Sequence, residues 1–134
     1  YFIRRALHRI GPASASVCAA FMLMSFYTLI DAAYRDPGIV TPSSVPKHDH
    51  QKMAEWRFCD LCNEYQPPDG AHCPDCNMCI AGYDHHCVWM GTCIGKRNYK
   101  QFIRFNLAWL CYLLYAVFWV SVLGPVIYRH KKDS

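Results

Sequence analysis

Residues 59–102 read CDLCNEYQPPDGAHCPDCNMCIAGYDHHCVWMGTCIGKRNYKQF, and this stretch decides how the chain folds. Seven of the nine cysteines lie between Cys59 and Cys93, with His72, His85 and His86 among them. A window so dense in soft ligands is a disulfide knot, a metal site, or a metal site carrying a reactive thiol. Spacing separates these. Cys59-x2-Cys62, Cys73-x2-Cys76 and Cys76-x2-Cys79 repeat the knuckle that brings two thiolates to one tetrahedral zinc. An odd number of cysteines does not suit a disulfide framework, and cysteines this close in sequence seldom bridge each other without strain. Structural zinc commonly takes three thiolates and one imidazole. Two such sites use six cysteines and two histidines, so one cysteine and one histidine are left over.

Asp84-His85-His86-Cys87 places two histidines beside a cysteine, with an acid before them. Consecutive side chains of an extended segment point to opposite sides. One histidine can therefore face a zinc while the other faces away. His85 and Cys87 are two apart and can share a face, with Asp84 available to fix the imidazole tautomer. An activated thiolate nucleophile requires this arrangement. Spacing alone leaves open that Cys87 or His85 is one more zinc ligand.

The same stretch closely resembles the cysteine-rich domain of the DHHC protein S-acyltransferases (palmitoyltransferases). The residues that carry the resemblance are Cys59, Cys62, His72, Cys73, Cys76, Cys79, Asp84, His85, His86, Cys87, Cys93, Asn98 and Phe102. It implies that Cys59, Cys62, His72 and Cys79 hold one structural zinc and that Cys73, Cys76, His86 and Cys93 hold the other. It implies Cys87 as nucleophile, His85 as base and Asp84 as the residue that orients His85. The implied fold is an α-helical membrane protein with a small zinc-bound β-hairpin cysteine-rich domain between two transmembrane helices. The implied reaction takes a long fatty acyl group from acyl-CoA (palmitoyl-CoA) onto Cys87 and passes it to a cysteine of a protein substrate. Membrane lipids are expected partners and nucleic acid is not. The chain departs from the family at Gln66-Pro67-Pro68-Asp69-Gly70, where basic residues commonly flank the proline. A reading from another class, a membrane-tethered zinc-binding adapter without catalytic activity, fits the zinc ligands equally. An adapter has no need of Asp84, His85 and Cys87 together.

The whole chain is 53% hydrophobic and 15% aromatic with net charge +4, and the apolar residues concentrate in two blocks that flank the cysteines. Residues 1–12 carry Arg4, Arg5 and Arg9 and no acid, and read as a basic membrane flank. Residues 13–34 read as a transmembrane helix, uncharged from Ala13 to Ile30. Residues 35–57 hold Asp36-Pro37-Gly38 and a linker, since proline and glycine punctuate helices. In the family a D-P-G motif follows the second transmembrane helix, so this span resembles that helix. His48 and His50 in the linker read as solvated loop histidines. Residues 58–102 form the zinc domain, with an apolar core expected from Leu61, Tyr65, Ile80, Val88 and Trp89. Trp56 and Phe58 are expected to seat the domain, and Gly91 and Gly95 to allow tight turns.

Lys96, Arg97 and Lys100, with Arg104 beyond, form a basic run that could meet the phosphates of an acyl-CoA or anionic headgroups, or simply flank a membrane helix. Residues 105–128 carry no charge and read as a second span, followed by a basic tail over 129–134. Trp109, Tyr112, Tyr115, Phe118 and Trp119 lie on it as candidate cavity-lining residues, and Cys18 and Cys111 read as structural. Basic residues are balanced between the two sides of the spans, so charge leaves orientation undecided. Thiol chemistry favours a reducing, cytosolic face for the zinc loop. The first residue is Tyr1, not Met, and no secretory signal is visible at the start. The chain therefore reads as a piece of a longer one. The family has at least four spans, of which those here resemble the second and third.

Overall fold

The structure, a computed structural model, describes residues 2–46 and 50–132. Helix α1 runs Phe2–Ala33, a 3-10 turn covers Pro42–Ser44, a short helix α2 covers His50–Glu55, and helix α3 runs Tyr99–Lys132. Between α2 and α3 lie six three-residue strands, β1 Arg57–Cys59, β2 Glu64–Gln66, β3 Ala71–Cys73, β4 Met78–Ile80, β5 His85–Cys87 and β6 Thr92–Ile94. The described residues divide into two compact units. One comprises the α1 residues up to Thr28 and the chain from Arg104 onward; the other is Leu29–Ile103.

In the first unit the chain's polarity explains the helices. A helix in an apolar setting satisfies its backbone internally. The few polar side chains of α1 do likewise: Ser14, Ser16, Ser25 and Thr28 each donate a hydroxyl to a carbonyl one turn back. Among the described residues, two helices are long and apolar enough to cross a membrane, through Gly11–Ala33 and Tyr99–Val122. Both helices overrun the expected spans. Residues 2–12 of the basic flank are continuous with α1, with Pro12 inside it. The apolar stretch of α3 takes in Lys100 and Arg104 at its start and ends short of 128. Phe21 and Tyr115 meet at 5.4 Å between ring centroids, and the Tyr115 hydroxyl donates to the Ser14 carbonyl at 3.1 Å. The two helices therefore pack side by side in this unit. Cys18 is half-buried and Cys111 is exposed.

In the second unit the strands pair as three antiparallel hairpins, β1–β2, β3–β4 and β5–β6. Each turn closes on a residue in the left-handed region, Asn63 and Asn77 at φ 52 and Gly91 at φ 64. These are residue types that tolerate that conformation. Isolated two-stranded hairpins are marginal in water, and here little apolar matter supports them. The buried cluster is Cys73, Ile80 and Cys93, with Ile39, Cys76, Met78 and Tyr83 against it.

Of the residues expected to form this core, only Ile80 is buried. Tyr65 is exposed and packs edge-on to the exposed Phe58, while Leu61, Val88 and Trp89 are 75%, 76% and 92% exposed. Leu61, Val88 and Trp89 sit in the turns that join the strands, where three-residue strands offer no inner face to receive them. Buried cysteines occupy the position a core would fill.

The linker is more structured than expected. Leaving Gly38, it runs beside β4: Ala81 N donates to Gly38 O at 2.8 Å, Val40 N donates to Cys79 O at 2.9 Å, and Ile39 bridges Ile80.

Candidate metal centres and thiol site

The hairpins converge their cysteines and histidines into two groups. In the first, Cys59 ends β1 and Cys62 lies in the turn after it, while His72 and Cys79 are cross-strand partners on β3 and β4. In the second, Cys73 ends β3 and Cys76 lies in the turn after it, and His86 and Cys93 are cross-strand partners on β5 and β6. Within each group the ligand atoms all lie within 4.8 Å of one another. His72 Nδ1 is 3.8 Å from Cys59 Sγ and 3.1 Å from Cys62 Sγ, and Cys79 Sγ is 3.5 Å from Cys62 Sγ. His86 Nδ1 is 3.7, 3.3 and 3.7 Å from the sulfurs of Cys73, Cys76 and Cys93. A zinc tetrahedron with Zn–S bonds of about 2.3 Å has edges of about 3.7 Å. Three sulfurs and one nitrogen at these separations fit it.

Thiol electrostatics point the same way. Burial pushes the Cys79 thiol up, and the sulfurs of Cys59 and Cys62 push it further. Burial and the sulfurs of Cys76 and Cys73 do the same to Cys93. Burial also works against ionised Cys73, yet the Cys76 amide, the Cys93 thiol and the Asp75 amide bring it down to about 7. The Cys62 amide lowers Cys59 in the corresponding way. Each knuckle thus makes its leading thiolate easy to form, while the third thiolate of the group is unfavourable without a cation. This is the donor chemistry of a metal centre.

Cys87 belongs to neither group. It ends β5, two residues after His85, and is 8% exposed. His86, between them, is turned toward Cys73, Cys76 and Cys93. Strand alternation therefore assigns His85 and Cys87 to the opposite face. Asp84 Oδ2 lies 3.5 Å from His85 Nδ1, and the Phe102 ring meets the His85 ring nearly edge to face at 5.4 Å.

Two features that entered the sequence reading only as family motif residues make contacts that the sequence did not reveal. Asp36 of the D-P-G motif accepts from the amides of Gly38 and Ile39 at 2.8 and 2.9 Å and pairs with Arg97. Burial opposes its ionisation, but those amides and Arg97 hold its carboxyl below the usual aspartate value. Asn98, fully buried, accepts from Gly95 N at 2.9 Å and donates to Cys93 O at 2.9 Å and to Ala32 O at 3.4 Å. Together they tie the end of α1 to the exit of β6 and the start of α3. Gly95 is required by close approach, since a Cβ there would lie 2.5 Å from Pro37 O.

Of the basic residues, Lys96 pairs with Asp69 at 3.1 Å, Arg97 pairs with Asp36, and Lys100 is exposed on the first turn of α3. His48 lies outside the described residues, as does the side chain of His50.

Comparison with known proteins agrees with this geometry. Residues 52–133 match the family model described as DHHC palmitoyltransferase. The chain is 37% identical over 119 residues to a protein of Dictyostelium discoideum described as a ZDHHC-type palmitoyltransferase, covering 76% of this chain and 27% of that one. It is 33% identical over 109 residues to palmitoyltransferase ERF2 of Kluyveromyces lactis, covering 66% and 30%. It is 28% identical over 128 residues to human palmitoyltransferase ZDHHC9, covering 75% and 35%. The chain thus spans about a third of the length of these relatives. Two apolar helices around paired Cys/His metal groups, with the family match over most of that region, lead to one conclusion: the chain belongs to the DHHC palmitoyltransferase family and is a membrane protein.

Proposed function

We propose that the protein to which these residues belong is a protein S-palmitoyltransferase. In this reading Cys87 is the nucleophile, His85 its base, and Asp84 the residue that orients His85. The observation that carries it is the geometry of β5: His86 lies with Cys73, Cys76 and Cys93, while strand alternation puts His85 and Cys87 on the other face, with Asp84 beside the His85 imidazole.

A free thiol is mostly protonated at neutral pH. Asp84 at Nδ1 leaves Nε2 of His85 to take the Cys87 proton. The thiolate attacks the thioester carbonyl of acyl-CoA, forming a new C–S bond. The tetrahedral adduct collapses, its old C–S bond breaks, and the CoA sulfur leaves with the proton held by His85. In the second half His85 takes the proton of a substrate cysteine, whose thiolate attacks the Cys87 thioester. Cys87 departs and recovers a proton. Zinc supplies structure when bound, because each set of four protein ligands closes a tetrahedron.

Acyl-CoA, membrane lipids and cysteine-bearing protein substrates are the partners of this reading. Its setting is a multi-pass protein with the hairpin unit on the cytosolic face, where thiols stay reduced. Lys100, with Lys96 and Arg97, offers positive charge to CoA phosphates; carboxylates already offset part of the charge of the last two. The aromatic residues Trp109, Tyr112, Tyr115, Phe118 and Trp119 offer surface to the acyl chain.

The test is to incubate the full-length protein in detergent with labelled palmitoyl-CoA. A hydroxylamine-sensitive adduct is expected, absent from Cys87→Ser while bound zinc is unchanged. Survival of the adduct in that variant overturns the nucleophile assignment.

A further inference from the structure

The three hairpins are copies of one unit in their backbones. Their first strands start at Arg57, Ala71 and His85, evenly spaced at fourteen residues. Each first strand ends on a buried cysteine, Cys59, Cys73 or Cys87. These pair across the ladder with Glu64, Met78 and Thr92, at the same register position. The residue before the left-handed turn position is Cys62, Cys76 or Met90. The cross-strand pair one step earlier is Phe58 with Tyr65, then His72 with Cys79, then His86 with Cys93.

The copies differ in what they give to metal. The first hairpin gives only its knuckle, Cys59 and Cys62. The second gives a cross-strand pair to that group and its own knuckle, Cys73 and Cys76, to the next. The third gives a cross-strand pair to the second group. Its knuckle pair is Cys87 and Met90, and the chain then enters α3 at Tyr99, where a fourth hairpin would have to supply the remaining ligands. Cys87 therefore stands at the position of a metal ligand, with Met90 in place of the second knuckle cysteine and no further hairpin before α3.

We propose that Met90 is the residue that keeps the Cys87 thiol free of metal. This rests on the reading of Cys87 as the reactive thiol and says what protects that reactivity. A thiolate bound to zinc is no longer a free nucleophile, and Cys87 lies among zinc-binding loops of the same shape. A neutral thioether is a soft ligand suited to monovalent copper and a poor one for Zn2+. One thiolate alone does not hold Zn2+ against solvent, whereas a Cys-x2-Cys knuckle provides a chelating pair.

The experiment is Met90→Cys in the full-length protein, kept reduced with a phosphine. The readout is the rate of Cys87 alkylation by iodoacetamide, followed by peptide mass spectrometry with and without low free zinc. In the variant, zinc is expected to slow alkylation roughly tenfold or more, because a metal-bound sulfur withdraws the reactive thiolate. A weak chelator that leaves the two resident ions in place should restore the rate. Wild type and Met90→Ser should be indifferent to the same zinc. Met90→His, which adds a different zinc ligand, should reproduce the protection if Met90→Cys does not fold. The proposal is overturned if neither ligating variant is protected, or if zinc already protects wild-type Cys87. A wild-type Cys87 that alkylates freely but takes no acyl group sinks the transferase reading and leaves this one standing.

Discussion

His85 and His86 are neighbours with identical side chains, and β5 gives them different surroundings. His86 Nδ1 lies 3.3 Å from Cys76 Sγ, while His85 Nδ1 lies 3.5 Å from Asp84 Oδ2. Alanine at each should therefore fail differently. His86→Ala is expected to lose one of the two ions, read by metal analysis of the purified protein. His85→Ala should keep both and form the acyl adduct about 10²-fold more slowly or worse, the usual loss for a general base. Metal loss in the second variant would mean the roles are reversed. That neighbours on a strand face opposite ways was legible in sequence, whereas which histidine faces the cysteines came from the family resemblance. Asn98 was named there only as a motif residue, and its contacts were not legible. Its oxygen and nitrogen serve Gly95 and Cys93 at the end of β6 and Ala32, which is 66 residues away. Asn98→Ala should cost about 1–3 kcal/mol by orphaning buried backbone groups, measured by denaturant unfolding of the zinc-loaded protein. Asp at this position should be no rescue, because it places a carboxylate against two carbonyl oxygens.

At the level of elements, the hairpins are set by their turns and the D-P-G segment by a long-range clasp. Gly91 and Gly95 separate the two effects. A Cβ at Gly91 meets nothing within 4 Å, but φ there is +64, whereas one at Gly95 meets Pro37 O at 2.5 Å and Ile80 Cγ2 at 2.6 Å. Gly91→Ala should cost about 1–2 kcal/mol from the left-handed backbone alone. Gly91→Asn should cost less, since asparagine holds the same place in the other two turns. Gly95→Ala should be the worst of the three, and zinc retention against a chelator should rank them in that order.

The knuckles announced themselves in sequence through cysteine spacing, yet the fourteen-residue repeat was masked because Met90 stands where the other two hairpins have Cys62 and Cys76. The D-P-G segment was legible as a turn and, through the resemblance, as a family motif, but its clasp to Arg97 was not, because that partner is 61 residues away. Asp36 also carries a pH signature. Its folded pKa is depressed, so its contribution is present above the 3.8 of a free aspartate and is lost as pH falls below that. The carboxylate is 45% exposed, which limits that contribution to about 1 kcal/mol or less. The deficit of Asp36→Asn should therefore stay constant from about pH 8 to about pH 5. A deficit that vanishes within that range would show that the carboxylate charge is not its source.

Taken whole, the molecule joins two kinds of order with different sources. The helices close their own backbone hydrogen bonds and present apolar side chains outward, which suits a lipid environment. The hairpin unit has three-residue strands and a buried cluster in which two of three members are cysteines. Metal held by the two Cys/His groups is the expected source of its stability. Zinc binding contributes on the order of 10 kcal/mol in small zinc-folded peptides, more than such strands can replace. Stripping the metal from the detergent-solubilised protein should therefore melt one part and spare the other. Hydrogen exchange should show loss of amide protection from Arg57 to Ile94, while the apolar stretches of α1 and α3 stay protected and most helical circular dichroism survives. Cys59, Cys73, Cys79 and Cys93, buried in the folded protein, should become reactive to alkylation together, and returning zinc should protect them together. Persistence of hairpin protection without metal would show that Ile80, Ile94 and the Asn98 hydrogen bonds suffice to hold the unit, and that the cysteine groups are occupied for some purpose other than folding.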